Sequence, residues 1–178
     1  EPKDFDVAVG LALHEGSHIK LSDFTILHDI YNLVPTSVKD TSIKKGVYNS
    51  IEVIKNLWNY VEDRRIDHYV FSTAPGYRDY YRSMYDKYFN DVLIDKMLLS
   101  DEYRDESVDS YMTRIITLHN KNTQLSALKG LREIYKIVSL NSIDRLKSTK
   151  DTFDVALELF KVILKNLPPV DGDETDNQ

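Results

Sequence analysis

Asp4-Phe5-Asp6-Val7-Ala8-Val9-Gly10-Leu11-Ala12-Leu13-His14-Glu15-Gly16-Ser17-His18 is the stretch on which the fold reading turns. Asp4 or Asp6 can cap a helix, and the apolar residues that follow fall on nearly every helical face. That pattern predicts a helix lying inside the domain. Its last five residues fit H-E-x-x-H. Residues four apart share one face, so His14 and His18 can reach a common metal ion. Glu15 lies about a hundred degrees round the helix from His14, where a carboxylate can act on a metal-activated water without binding the metal. Gly16 costs the helix about 1 kcal/mol relative to alanine, and it leaves room for a substrate or a neighbouring helix. Two buried histidines need partners, and a metal would supply one. The alternative is a pair of satisfied core histidines flanking a surface glutamate.

Outward from this stretch the periodicity stays helical. A short helix is expected over 22–33, ended by Pro35, then a polar stretch from Thr36 to Lys45 with Gly46 as punctuation. A long helix should start at Asn49 or Ser50 and run to about Phe71, before the break at Ala74-Pro75-Gly76. A tyrosine-rich helix follows from about Tyr77 to Leu99. Ser107 can cap a helix reaching His119, and Asn120 to Thr123 reads as loop. Ser126 to Leu140 and Thr152 to Asn166 complete the set, both amphipathic. No segment alternates as a strand does. The expected fold class is all-α: a multi-helix, zincin-like bundle over 1–167, with the H-E-x-x-H helix buried at its centre.

The chain of 178 residues can bury one full core, and 42% hydrophobic with 29% charged residues is ordinary for a globular protein. A net charge of -6 without any basic block argues against nucleic acid as a partner. The absence of cysteine removes disulfides, thiolate metal sites and cysteine nucleophiles together. Any zinc must therefore be held by histidines and carboxylates. No apolar run reaches the length of a membrane span, so no membrane partner is expected. The chain opens at Glu1-Pro2-Lys3 and closes in an acidic, proline-led tail over 168–178. We read that tail as linker or disorder, and the whole as a piece of a longer protein with an adjacent domain.

A catalytic zinc takes three protein ligands and leaves a fourth position open. The extension H-E-x-x-H-x-x-G-x-x-H would need glycine at 21 and histidine at 24; Leu21 and Phe24 stand there, which excludes that class. His28 has no supporting spacing. The stronger candidate is Trp58-Asn59-Tyr60-Val61-Glu62-Asp63-Arg64-Arg65-Ile66-Asp67-His68, where adjacent carboxylates sit in a second largely apolar helix. Two registers compete. Asp63 forms an i, i+4 acidic pair with Asp67, whereas Glu62 lies closer to the stripe of Trp58, Val61, Arg65 and Tyr69. Arg64 and Arg65 read as partners for the spare carboxylates. A solvated run of mixed charge is the alternative.

The pairing of H-E-G-S-H with a W-N-x-x-E-D-x-R-I-D helix resembles the gluzincin-like metallopeptidases. More narrowly, it resembles predicted metallopeptidase domains associated with von Willebrand A-type domains in bacteria and phages. The resemblance covers about residues 4 to 90. It implies Zn2+ bound by His14, His18 and a carboxylate of the second helix, with Glu15 as general base. It also implies that Asp67 orients a ligand histidine through its other ring nitrogen. A protein or peptide substrate and a place in the bacterial cytoplasm or the virion follow as expectations. So does the competing one, an inactive zincin-like interaction or structural module of a larger protein.

Tyr69, Tyr77, Tyr80, Tyr81, Tyr85 and Tyr88 gather half of the chain's 12 tyrosines. A phenol can hydrogen-bond a developing oxyanion, and Tyr77, just after Pro75-Gly76, is the candidate for that role, with His68 as another. Surface packing and a protein-binding face are the other uses of such a cluster.

Overall fold

The computed structural model describes residues 4–39 and 49–168. The tail beyond Pro168 and residues 40–48 lie outside the described residues; of the polar stretch expected from Thr36 to Lys45, Thr36–Lys39 form a short helix that buries Val38. Among those residues the chain is all-helical, with ten α-helices and no strand. No helix is long and apolar enough to cross a membrane.

The architecture is organised by α4 (Ser50–Thr73), whose 24 residues run through the core. Asn49 starts it, its side chain accepting from the Ile51 amide. Val53, Ile54, Leu57, Val61 and Ile66 are all but inaccessible, which explains why so long a helix holds its place. Its broadest partner is α10 (Thr149–Asn166), which buries Phe153, Ala156, Leu159, Phe160 and Ile163. A reciprocal cap between Ser148 and Asp151 starts α10, three residues earlier than the sequence reading placed it. Around this pair pack α2 (Thr25–Leu33), α3 (Thr36–Lys39), α7 (Val108–Ile116), α8 (Leu131–Val138) and α9 (Leu140–Ile143). Ser107 caps α7, its hydroxyl accepting from the Ser110 amide.

Two expected helices are shorter than their periodicity suggested. The tyrosine-rich segment is divided into α5 (Arg78–Tyr88) and α6 (Val92–Leu99), because Asp91 turns its side chain onto the Leu93 amide and starts a new helix. The helix expected from Ser126 begins only at Leu131. Gly130 before it has φ 75°, and a Cβ there would lie 2.6 Å from Asn166 Nδ2 and 2.9 Å from Val162 Cγ1. Only glycine meets both the backbone angle and the close approach to α10.

The H-E-x-x-H helix is α1 (Asp4–Leu21), and it does not lie at the centre of the bundle. Among the described residues its main packing partners are α5 and α4, none of its residues joins the main core, and just Val7 and Gly10 are buried. Phe5 and Ile19 are 72% and 83% exposed. Apolar residues all round a helix permit burial on any side, but neighbours exist here on one side alone. At the α1–α5 contact a Cβ on Gly10 would stand 2.5 Å from the Tyr80 carbonyl oxygen and 3.0 Å from Met84 Cβ. Gly10→Ala should therefore push the helices apart and lower stability by about 1–3 kcal/mol, readable as a lower urea midpoint with unchanged slope.

Candidate metal centre

The centre is built where the last two turns of α1 face the middle of α4. His14 and His18 project from one face of α1, as the four-residue spacing requires. Each of their side chains is 14% exposed. Opposite them on α4 stands Asp63, with Oδ1 3.0 Å from His18 Nε2 and 3.8 Å from His14 Nε2. One ligand atom from each of the three lies within 4.8 Å of the others. Tetrahedral zinc with bonds near 2.1 Å holds its ligands roughly 3.4 Å apart, so small side-chain adjustments would suffice.

The outer ring nitrogens fix which atoms face the centre. His14 Nδ1 is 2.9 Å from Asp67 Oδ1, and Asp67 is held on its other oxygen by the hydroxyl of Tyr85. His18 Nδ1 is 3.0 Å from Ser22 Oγ. The Ser22 hydroxyl donates its own hydrogen to Glu62 Oε1 at 2.7 Å, so it can only accept from His18. Both imidazoles thus carry a proton on Nδ1 and turn Nε2 towards the carboxylate of Asp63. Two Nε2 atoms and a carboxylate oxygen that converge in this way could hold a cation, and this donor set suits zinc. Burial works against charge on His14. The Asp67 hydrogen bond and the negative charges of Asp67, Asp63 and Glu15 outweigh it and raise the pKa above 6.5.

Of the two carboxylates left open by the sequence, Asp63 reaches the histidines. Glu62 does not. One residue earlier on the helix, it points about a hundred degrees away and is fully buried on the α10 side. There it accepts from Arg65 Nε at 3.0 Å and Nη2 at 2.6 Å, from Thr149 at 3.0 Å and from Thr152 at 2.8 Å. Burial would raise its pKa, but hydrogen bonds from Arg65 and Ser22 and the Arg65 charge hold it below the usual 4.5. Arg65 also donates to the Leu21 carbonyl at 2.8 Å, tying the last residue of α1 to α4. Glu62 therefore touches the centre only through Ser22, as a support.

Glu15, exposed beside His14, lines the same cleft as His14, His18 and Asp63, a space of 880 Å³ between α1, α4, α5 and α7. Tyr77 and His68, the oxyanion-donor candidates, do not line it. Tyr77 sits in the short 3-10 turn Pro75–Tyr77, and His68 faces Asp144 at 3.4 Å. His68, five residues after Asp63 on α4, is turned roughly 140° from it, and Tyr77 lies beyond the end of that helix. The tyrosine that does reach the centre is Tyr85, which the sequence offered only as one of six. Burial, with the charge of Asp67 nearby, pushes its phenol well above the usual 10, so it remains a donor to Asp67. Ser22, four residues after His18 and just past the end of α1, was missed although its spacing was a signal; Thr149 and Thr152, more than eighty residues from Glu62, left none. His28 is exposed on α2, away from the cleft.

No family model, curated protein or solved structure matches the chain. The resemblance to gluzincin-like metallopeptidases stands on the two motif helices alone.

Proposed function

We propose that the chain is a zinc-dependent metallopeptidase-like domain acting on protein or peptide substrates. The observation that carries this reading is the convergence of His14, His18 and Asp63 with Glu15 on the wall of the same cleft. Zinc held there would supply Lewis acidity, polarising a scissile carbonyl and lowering the pKa of a water to about 7. Glu15, set one residue from His14 and outside the ligand set, takes the proton of the attacking water and returns it to the leaving amine. Asp67 and Ser22 hold the Nδ1 side of each histidine and so turn its Nε2 towards the proposed metal. Met84 and Phe89 give the cleft apolar wall against which a peptide side chain can pack.

The test is metal analysis of protein purified without chelator, paired with cleavage of an unfolded protein. One zinc per chain, and cleavage abolished by chelator and restored by zinc, is the expected result. A second reading keeps the zinc and drops the chemistry: an inactive zincin-like interaction or structural module of a larger protein. It is favoured by the helical walls, since among the described residues no strand edge is present to hold an extended peptide. That reading expects zinc without cleavage. Under either, Asp67→Asn should weaken zinc binding about 10- to 100-fold in a competitive chelator titration, because the amide cannot both orient His14 and enhance its basicity.

A further inference from the structure

Arg64 follows Asp63 directly on α4 and is turned about a hundred degrees from it. It stands in the wall of the same cleft. Its neighbour Arg65 is satisfied by Glu62 and a backbone carbonyl, but Arg64 forms no ion pair with a described residue. Its guanidinium lies instead among three aromatic rings, 5.0 Å from the centroid of Tyr85, 5.2 Å from Tyr60 and 5.9 Å from Phe89. Rings hold a guanidinium in place without using its N–H donors. Tyr60 also lines the cleft, and its buried hydroxyl lies against the guanidinium of Arg64. A phenol oxygen satisfies only part of a guanidinium's donors, so the rest are left for a group bound in the cleft. The remaining charged side chains of that wall, Glu15, Asp63 and Asp109, are acidic, so Arg64 is the one full cation among the described residues lining the cleft.

We propose that Arg64 is a specificity-determining residue that receives a carboxylate of the bound peptide. Resting on the hydrolase reading for the identity of its ligand as a peptide, it names that site's substrate class. A planar fork set among aromatic rings matches a carboxylate in a two-point contact. The carboxylate belongs either to the C-terminus of the peptide or to an acidic side chain near the bond that is cut. Both offer the same two oxygens to Arg64.

Calorimetric titration of the zinc-loaded chain with short N-acetylated peptides decides this. One pair carries a C-terminal acid or a C-terminal amide; a second pair is amidated and differs by an internal glutamate or glutamine. The expected result is that one member with a carboxylate binds about 10- to 100-fold tighter than its neutral counterpart, and the pair that responds identifies the source. Arg64→Lys, which keeps the charge and loses the fork, should reduce that ratio to below about threefold with zinc stoichiometry unchanged; Arg64→Met, which keeps the packing over the rings, should abolish it. Equal binding of acid and neutral peptides by the wild-type chain overturns the proposal. So does a preference that survives both substitutions, since the carboxylate would then be held by the metal. A carboxylate preference without cleavage of any peptide leaves Arg64's role standing and removes the hydrolase reading; cleavage with no preference does the reverse.

Discussion

Glu15→Gln is expected to bind zinc as the wild type does and to lose about two to four orders of magnitude in peptide hydrolysis. The two halves of that result come from different atoms. The proposed ligand set is His14, His18 and Asp63, with His14 and His18 oriented by Asp67 and Ser22; Glu15 is in neither group. Glutamine preserves its volume and its place on an exposed turn of α1, so fold and metal should be untouched. What it cannot do is accept a proton from water and hand it on. Metal analysis and a chelator competition read the first half, and a single-turnover cleavage assay reads the second. Wild-type rates in the variant would sink Glu15 as the base; loss of zinc would mean that the helix face has been misassigned. His18→Ala and Asp63→Ala, by contrast, should lose stoichiometric zinc and activity together.

Glu62→Ala should lower stability by about 3–5 kcal/mol, a fall of roughly 10 °C in melting temperature for a chain of this size. Glu62 is 0% exposed and is the acceptor for Ser22, Arg65, Thr149 and Thr152 at once. Removing it leaves the Arg65 guanidinium buried without its counter-charge and three hydroxyls without their acceptor. The loss should appear in metal-free protein, by calorimetry in the presence of chelator. A carboxylate that acted as a metal ligand would behave the opposite way, with its removal lowering zinc affinity and sparing the metal-free melt. The pH dependence carries the same sign. Because Glu62 titrates below its usual 4.5 in the fold, its contribution is complete above about pH 4.5 and disappears as pH falls through the lowered value. The Ala variant should lack that part of the acid-unfolding transition.

Much of the centre was legible in the sequence because a helix is a rigid ruler. His14, Glu15 and His18 needed only the 3.6-residue turn to be assigned to their faces, and the Asp63–Asp67 pair fell on the opposing helix by the same rule. The choice between Asp63 and Glu62 was not legible. Both sit on α4, and the hydrophobic stripe favoured Glu62 for facing inward, which it does; but inward means α10, Thr149 and Thr152, not α1. The stripe identifies the buried side of a helix and is silent on which neighbour fills it. Tyr77 failed for a related reason. A proline-glycine break suggested a loop facing the site, whereas α5 carries Tyr85 there, eight residues on.

By itself, then, the sequence determined the local matters: helices throughout, their caps at Asn49 and Ser107, and the two-histidine spacing that, without cysteine, pointed to a carboxylate as partner. Only the tertiary structure decided that α1 lies at the margin of the bundle, that Asp63 is the carboxylate brought to both histidines, and that Glu62 is a buried strut joining Ser22, α4 and α10. Local periodicity is set by backbone geometry that every helix shares. Which faces meet depends on packing between segments far apart in sequence, 90 residues for Glu62 and Thr152, and no local pattern records it.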